Sequence, residues 1–210
     1  YLRMLQATLG IDGSVDDFQL DVAAQHRAAM QAWLASRRRL PDAPLIALAP
    51  AAAYGPAKEW PAAQYAALID LLASKHDSEC VLVGSPSERA ACEAIARATQ
   101  ERVLVAAGET SIGQAVALLS LCAGFAGNDS GSMHVAGVCG LPTVGIFGST
   151  NPVRTAPLGR RTAVLYEAID CSPCLARTCR FGHYDCLRRI TPNAVASALE
   201  RLGAFQATNV

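Results

Sequence analysis

Charge is scarce in this chain, and neither sign is in excess. Asp, Glu, Lys and Arg make up 17% of 210 residues, with eighteen basic against eighteen acidic. That balance argues against a nucleic-acid partner held by bulk attraction to a phosphate backbone. The chain shows no internal repeat and no low-complexity segment, and at 51% hydrophobic it is excluded from the disordered class. It has no initiator Met and no charged-then-apolar leader at Tyr1, so the expectation is a piece of something longer rather than a secreted precursor. Two windows, 110–128 and 130–153, lack every Asp, Glu, Lys and Arg. Their glycines, Gln114, Asn128, His134 and Pro142 divide them into elements of soluble-protein length, which excludes a membrane span. The loop after the first strand has no G-x-G-x-x-G, so a dehydrogenase fits poorly.

What is present is a regular alternation of strand and helix patterns. Residues 1–9 read as a short apolar-striped segment ended by Gly10, 12–13 as a turn, and 25–40 as a helix whose Arg37, Arg38 and Arg39 form a solvated end. Pro41 and Pro44 break the chain and start a compact domain. Strands are expected at 45–49, 80–84, 103–106, 124–127, 142–147 and 162–166. Helices are expected at 61–75, 86–99, 111–122, 132–139 and 191–202. Such alternation means α/β architecture, a parallel sheet with helices on both faces and ligands beyond the carboxyl ends of the strands.

The stretch 124–148, GFAGNDSGSMHVAGVCGLPTVGIFG, reads as strand, turn, helix, turn, strand. A helix beginning at Ser130 or Gly131 aims its free N–H groups out of the carboxyl end of the preceding strand, which makes an anion site. Small residues at 130, 131 and 132 let a phosphate approach the backbone, and Asp129 and His134 add hydrogen-bonding side chains at the same edge. Two plainer roles stay open, Asp129 as a helix N-cap and His134 as a core histidine. Lys58, alone between small residues ahead of Trp60-Pro61, could neutralise a diphosphate or simply be a surface lysine, and Glu88 could be a helix-surface charge.

Five motifs stand in order: APAAAYGPAKEWP at 49–61, GSPSERA at 84–90, AGETSIGQAVALLSLC at 107–122, NDSGSMHVAGVCGLPTVGIFGSTNP at 128–152, and a Cys-rich ending. Together they resemble the lipopolysaccharide heptosyltransferases of glycosyltransferase family 9. The resemblance implies the carboxyl-terminal half of a GT-B fold, a Rossmann-like nucleotide-sugar-binding domain over 41–210, with 1–40 as linker and tail of a missing amino-terminal acceptor domain. It implies inverting transfer of heptose from ADP-heptose to the lipopolysaccharide inner core, with no metal required and the base in the other domain. Lys58 would contact the donor phosphates and stabilise the leaving group, Glu88 would bind the ribose, Asp129, Ser130 and Gly131 would hold the diphosphate, and Met133 and His134 would line the pocket. The chain departs from the family in having Pro50-Ala51 where members often carry Pro-Gly. The rival readings are another GT-B nucleotide-sugar enzyme and a non-catalytic nucleotide- or metal-binding module.

Cys171, Cys174, Cys179 and Cys186, with His183 between them, could close a structural zinc site, form disulfides or stay free. Eight cysteines without a leader point to a reducing compartment, hence a cytoplasmic protein, at the inner face of the inner membrane if the family resemblance holds. Seven arginines between 154 and 189 stand against Glu167, Asp170 and Asp185. That locally basic stretch is either a solvated face or a peripheral contact with an anionic lipid.

Overall fold

The central strands of this protein, Leu45–Ala49 and Gly124–Asn128, are buried on both sides, because the sheet is covered on both faces. The computed structural model describes residues 6–8, 10 and 20–206; the readings at 1–9 and 12–13 lie largely outside them. Helix α1 (Ala24–Ala35) leads into β1 (Leu45–Ala49), α2 (Ala62–His76), β2 (Glu79–Leu82), α3 (Arg89–Ala98), β3 (Val103–Val105) and α4 (Ile112–Ser120). Then come β4 (Gly124–Asn128), α5 (Gly131–Val138), β5 (Thr143–Phe147), α6 (Pro152–Thr155), β6 (Thr162–Tyr166), α7 (Asp185–Arg188) and α8 (Pro192–Arg201). The six strands form one parallel sheet in the order β3-β2-β1-β4-β5-β6. The direction of winding reverses between β1 and β4, which leaves a crevice beyond their carboxyl ends.

Alternate residues of β1 show how the two faces are filled. Ile46 and Leu48 join Tyr65, Leu68, Ile69 and Leu72 of α2 with Val195 and Leu199 of α8. Leu45, Ala47 and Ala49 face Met30 and Leu34 of α1, Leu118 of α4 and Met133 of α5. Period-two alternation between two buried layers therefore gives the unbroken apolar run LIALA. Glycines in the central strands serve this closeness: a Cβ on Gly145 would come within 2.6 Å of the Met133 sulfur.

The first helix stops at Ala35, five residues short of the expected end, and Arg38 is not part of a solvated terminus. Its Nε bonds Glu79 at 2.8 Å, with the two side chains 12% and 8% exposed. Its other nitrogens donate to the carbonyls of Leu40, Pro41 and Ala43, and the N–H of Arg39 donates to Glu79 at 2.9 Å. The chain leaves the helix so that one guanidinium can satisfy the turn before β1. Arg37 instead stacks on the Trp33 ring at 4.6 Å.

Burial opposes the charge on Glu79, but hydrogen bonds from Arg38 and the N–H of Arg39 outweigh it and hold the carboxyl below its ordinary pKa. A lowered folded-state pKa contributes stability that is complete above the unfolded value and is lost as pH falls through the folded one. The wild-type melting temperature should therefore drop on acidification below the ordinary carboxylate range. Glu79→Gln should cost about 2 kcal/mol at neutral pH, the size of a lost hydrogen bond to a charged group, and flatten that acid limb. Melting curves that coincide at neutral pH would contradict this.

Candidate functional site

The N-terminus of α5 is open to an anion because no side chain closes it. Its N-cap residue is Ser130, which makes no capping bond, and the Ser130 hydroxyl is buried without a partner. Asp129, which the sequence left open as a capping residue, is turned elsewhere. Its Oδ2 accepts from Lys58 Nζ at 2.7 Å, from Thr150 Oγ1 at 2.7 Å and from Thr155 Oγ1 at 3.3 Å. The carboxylate is 5% exposed and the lysine 15%. Lys58 Nζ also donates to the Asp129 carbonyl at 3.3 Å, so the lysine is fixed at the mouth of the helix.

Two structures hold Lys58 there. Asn128, fully buried at the end of β4, accepts from the Trp60 N–H at 3.0 Å and the Tyr65 hydroxyl at 3.1 Å. Its amide donates to the Pro50 carbonyl at 2.7 Å. One amide thus ties both ends of the loop between β1 and α2 to the central strand. On the other side, Gly55 sits at φ +141, where a Cβ would come within 2.7 Å of the Arg177 carbonyl. The Ala57 N–H donates to that same carbonyl at 3.0 Å. Glycine is needed at 55 both for its φ and for the closeness of the two chains.

A cavity of about 600 Å³ opens here, with Lys58, Asp129, Ser130, Gly131 and Ser132 at one end and Val83, Ala115, Val116 and Leu119 along another wall. Glu88 also lines it, although its Oε2 accepts from the Ser85 N–H at 2.6 Å in a capping box ahead of α3. Five of the seven donor-site residues named from sequence therefore meet in one cavity. The other two do not line it. Met133 is fully buried, packed in the core against β5, because the third residue of a helix beginning at Gly131 turns toward the sheet. His134 is half-buried, outside the cavity wall. Asn128, Thr150 and Thr155 were missed; a buried Asn at a strand end and hydroxyls after Gly148 carry little signal of their own.

A model described as "Glycosyltransferase family 9 (heptosyltransferase)" matches residues 1–185. The chain belongs to glycosyltransferase family 9. Lipooligosaccharide heptosyltransferase 2 of Haemophilus ducreyi is 34% identical over 192 residues, which are 88% of this chain and 54% of that protein. Lipopolysaccharide heptosyltransferase 2 of Escherichia coli is 33% identical over 165 residues, 77% and 47% of the two chains. The solved structure of the E. coli ADP-heptose lipopolysaccharide heptosyltransferase II superposes with a TM-score of 0.74 at 31% identity, covering 88% of this chain and 53% of that one. The chain spans about half the length of the curated relatives it matches. The family read from the five motifs is borne out, and so is the Rossmann-like half of a GT-B fold.

In this family 9 domain the cysteine-rich loop is bound to the rim of the same cavity. Ser172 Oγ donates to the Gly148 carbonyl at 2.6 Å, the Leu175 N–H to the Ser149 carbonyl at 2.7 Å, and the Tyr54 hydroxyl to the Leu175 carbonyl at 2.6 Å. Cys171, Cys174, Cys179, Cys186 and His183 line one small pocket. All eight cysteines are free. Cys171 Sγ is 4.0 Å from His183 Nε2, and among the described residues no three His, Cys, Asp or Glu side chains are gathered so as to hold a metal ion. Backbone hydrogen bonding, chiefly from Tyr184, draws the Cys179 thiol below its ordinary pKa, whereas burial pushes Cys186 up. Among the described residues no helix is long and apolar enough to cross a membrane.

Proposed function

We propose that this chain is the donor-binding half of an inverting heptosyltransferase that takes ADP-heptose and serves transfer to the inner core of lipopolysaccharide. The observation that carries the reading is the convergence of Lys58 and the uncapped start of α5 on one cavity at the reversal point of the sheet. Aligned N–H groups and a fixed ammonium suit a diphosphate, and the apolar wall of Val83, Val116 and Leu119 suits a nucleobase. The names of the relatives supply the sugar and the acceptor.

In the transfer, the bond between the heptose anomeric carbon and the diphosphate oxygen breaks, and negative charge grows on the departing ADP. Lys58 and the α5 N–H groups stand where they would stabilise that charge, in place of a metal ion. The base that removes the acceptor's proton belongs, in this reading, to a separate amino-terminal domain. The work is then done at the cytoplasmic face of the inner membrane. Titration with ADP, UDP and GDP in a calorimeter tests the donor: ADP should bind at least tenfold more tightly than the others, and equal affinities would overturn the assignment. The chain alone, given ADP-heptose and a truncated lipopolysaccharide acceptor, should release ADP far more slowly than the full-length enzyme. Equal rates would place the base within these residues.

A further inference from the structure

Lys58 alone does not supply enough charge for the ligand its position suits. Its ammonium is already paired with the buried carboxylate of Asp129, so those two side chains together bring no net charge to the mouth of α5. A sugar-nucleotide diphosphate carries a negative charge on each phosphate. The helix terminus contributes roughly half a charge, which leaves most of the diphosphate unmatched. A second cation is needed, and the cysteine-rich loop presents one. The Arg177 guanidinium lies 5.1 Å from the centroid of the Tyr54 ring, and Lys58 Nζ lies 5.1 Å from the same centroid. The two cations therefore stand no further apart than twice that distance.

We propose that Arg177 is the second cation of the diphosphate site, carried to Lys58 by the loop 171–186 and held ready on the face of Tyr54. Several features agree. Arg177 is exposed, forms no ion pair among the described residues, and so has its charge available. Its backbone is fixed by the bond from the Ala57 N–H and by the contact with Gly55, one turn before Lys58. Tyr54 lines the donor cavity and is anchored through its hydroxyl to Leu175, so the ring is a rigid platform. Cation–π attraction is weak enough at an exposed site for the guanidinium to move onto a phosphate, where a bidentate charged bond is stronger. The loop would then have a clear job, which is to bring a guanidinium to the donor.

This rests on the ADP reading above, and the experiment separates the two. Calorimetric titrations with ADP and with adenosine are run on the chain and on Arg177→Ala, Arg177→Lys and Arg154→Ala. Arg154 is the comparison because it too is exposed, on α6 beside Thr155. Arg177→Ala keeps every backbone contact that makes the loop a strut. It should weaken ADP by roughly ten- to a hundredfold, leave adenosine unchanged, and make ADP binding less sensitive to salt. Arg177→Lys should recover part of the loss, and Arg154→Ala should bind as the wild type does. Unchanged ADP affinity in Arg177→Ala overturns the proposal and leaves the ADP reading standing. So does an equal loss for adenosine, which would make Arg177 only a structural support. Transfer of the whole effect to Arg154→Ala would put the second cation there. Wild-type chain that fails to bind ADP would overturn the donor reading and this proposal with it.

Discussion

Replacing Lys58 with methionine is expected to cost about 3 kcal/mol of folding stability and to lower ADP affinity by more than tenfold. The first loss comes from Asp129, whose carboxylate is 5% exposed and would keep only the hydroxyls of Thr150 and Thr155. The second comes from the ligand. The two are separable, since Asp129→Asn in the same chain removes the orphaned charge. The double variant Lys58→Met/Asp129→Asn should therefore unfold at a urea concentration close to that of the wild type while binding ADP as poorly as Lys58→Met. If affinity returned along with stability, Lys58 would be a structural partner of Asp129 and not a phosphate contact.

Asn128→Ala should be at least as damaging to the fold. The side chain satisfies the Trp60 N–H, the Tyr65 hydroxyl and the Pro50 carbonyl from a fully buried position. Tyr65 retains its bond to the Ala49 carbonyl, but the Trp60 N–H and the Pro50 carbonyl lose the partner that Asn128 supplied. Each stranded buried group costs about 1–3 kcal/mol, so a loss of about 3–4 kcal/mol is expected from urea unfolding. ADP affinity should fall as well, because the same bonds fix the loop that carries Lys58. A cost below about 1 kcal/mol would mean that the loop is held by its apolar contacts alone, above all by buried Trp60.

The sequence made the sheet and its helices legible because each strand is a short apolar run between turn residues, and all six expected strands lie within two residues of their observed limits. It did not reveal α6 and α7, which are single turns too short to show a period. The helix at 86–99 divides into a 3₁₀ turn at Pro86–Glu88 and α3, since the capping box of Ser85 and Glu88 tightens its start. At the site, Lys58, Asp129, Ser130 and Gly131 could be read because small residues, one cation and a strand-to-helix turn follow in sequence. Met133 was misplaced because motif position alone does not say which way a helical side chain turns. Asn128 and Arg177 act across more than sixty and a hundred residues of chain, respectively, and local pattern contains no trace of such partners.

The position of β1 at the middle of the sheet governs how the chain can be assembled. Its pairing with β2 closes a short connection, but its other edge waits for β4, where Ile46 lies beside Gly124. The βαβαβ unit from β1 to β3 can form early from near neighbours, while the central seam requires closure of a much longer loop. During synthesis that seam is an unpaired parallel edge of five buried residues, LIALA, open to strands of other chains until β4 emerges. Chains ending before Asn128 are therefore expected to aggregate rather than persist as a smaller folded unit, and the yield of native protein depends on how fast the ribosome delivers its second half.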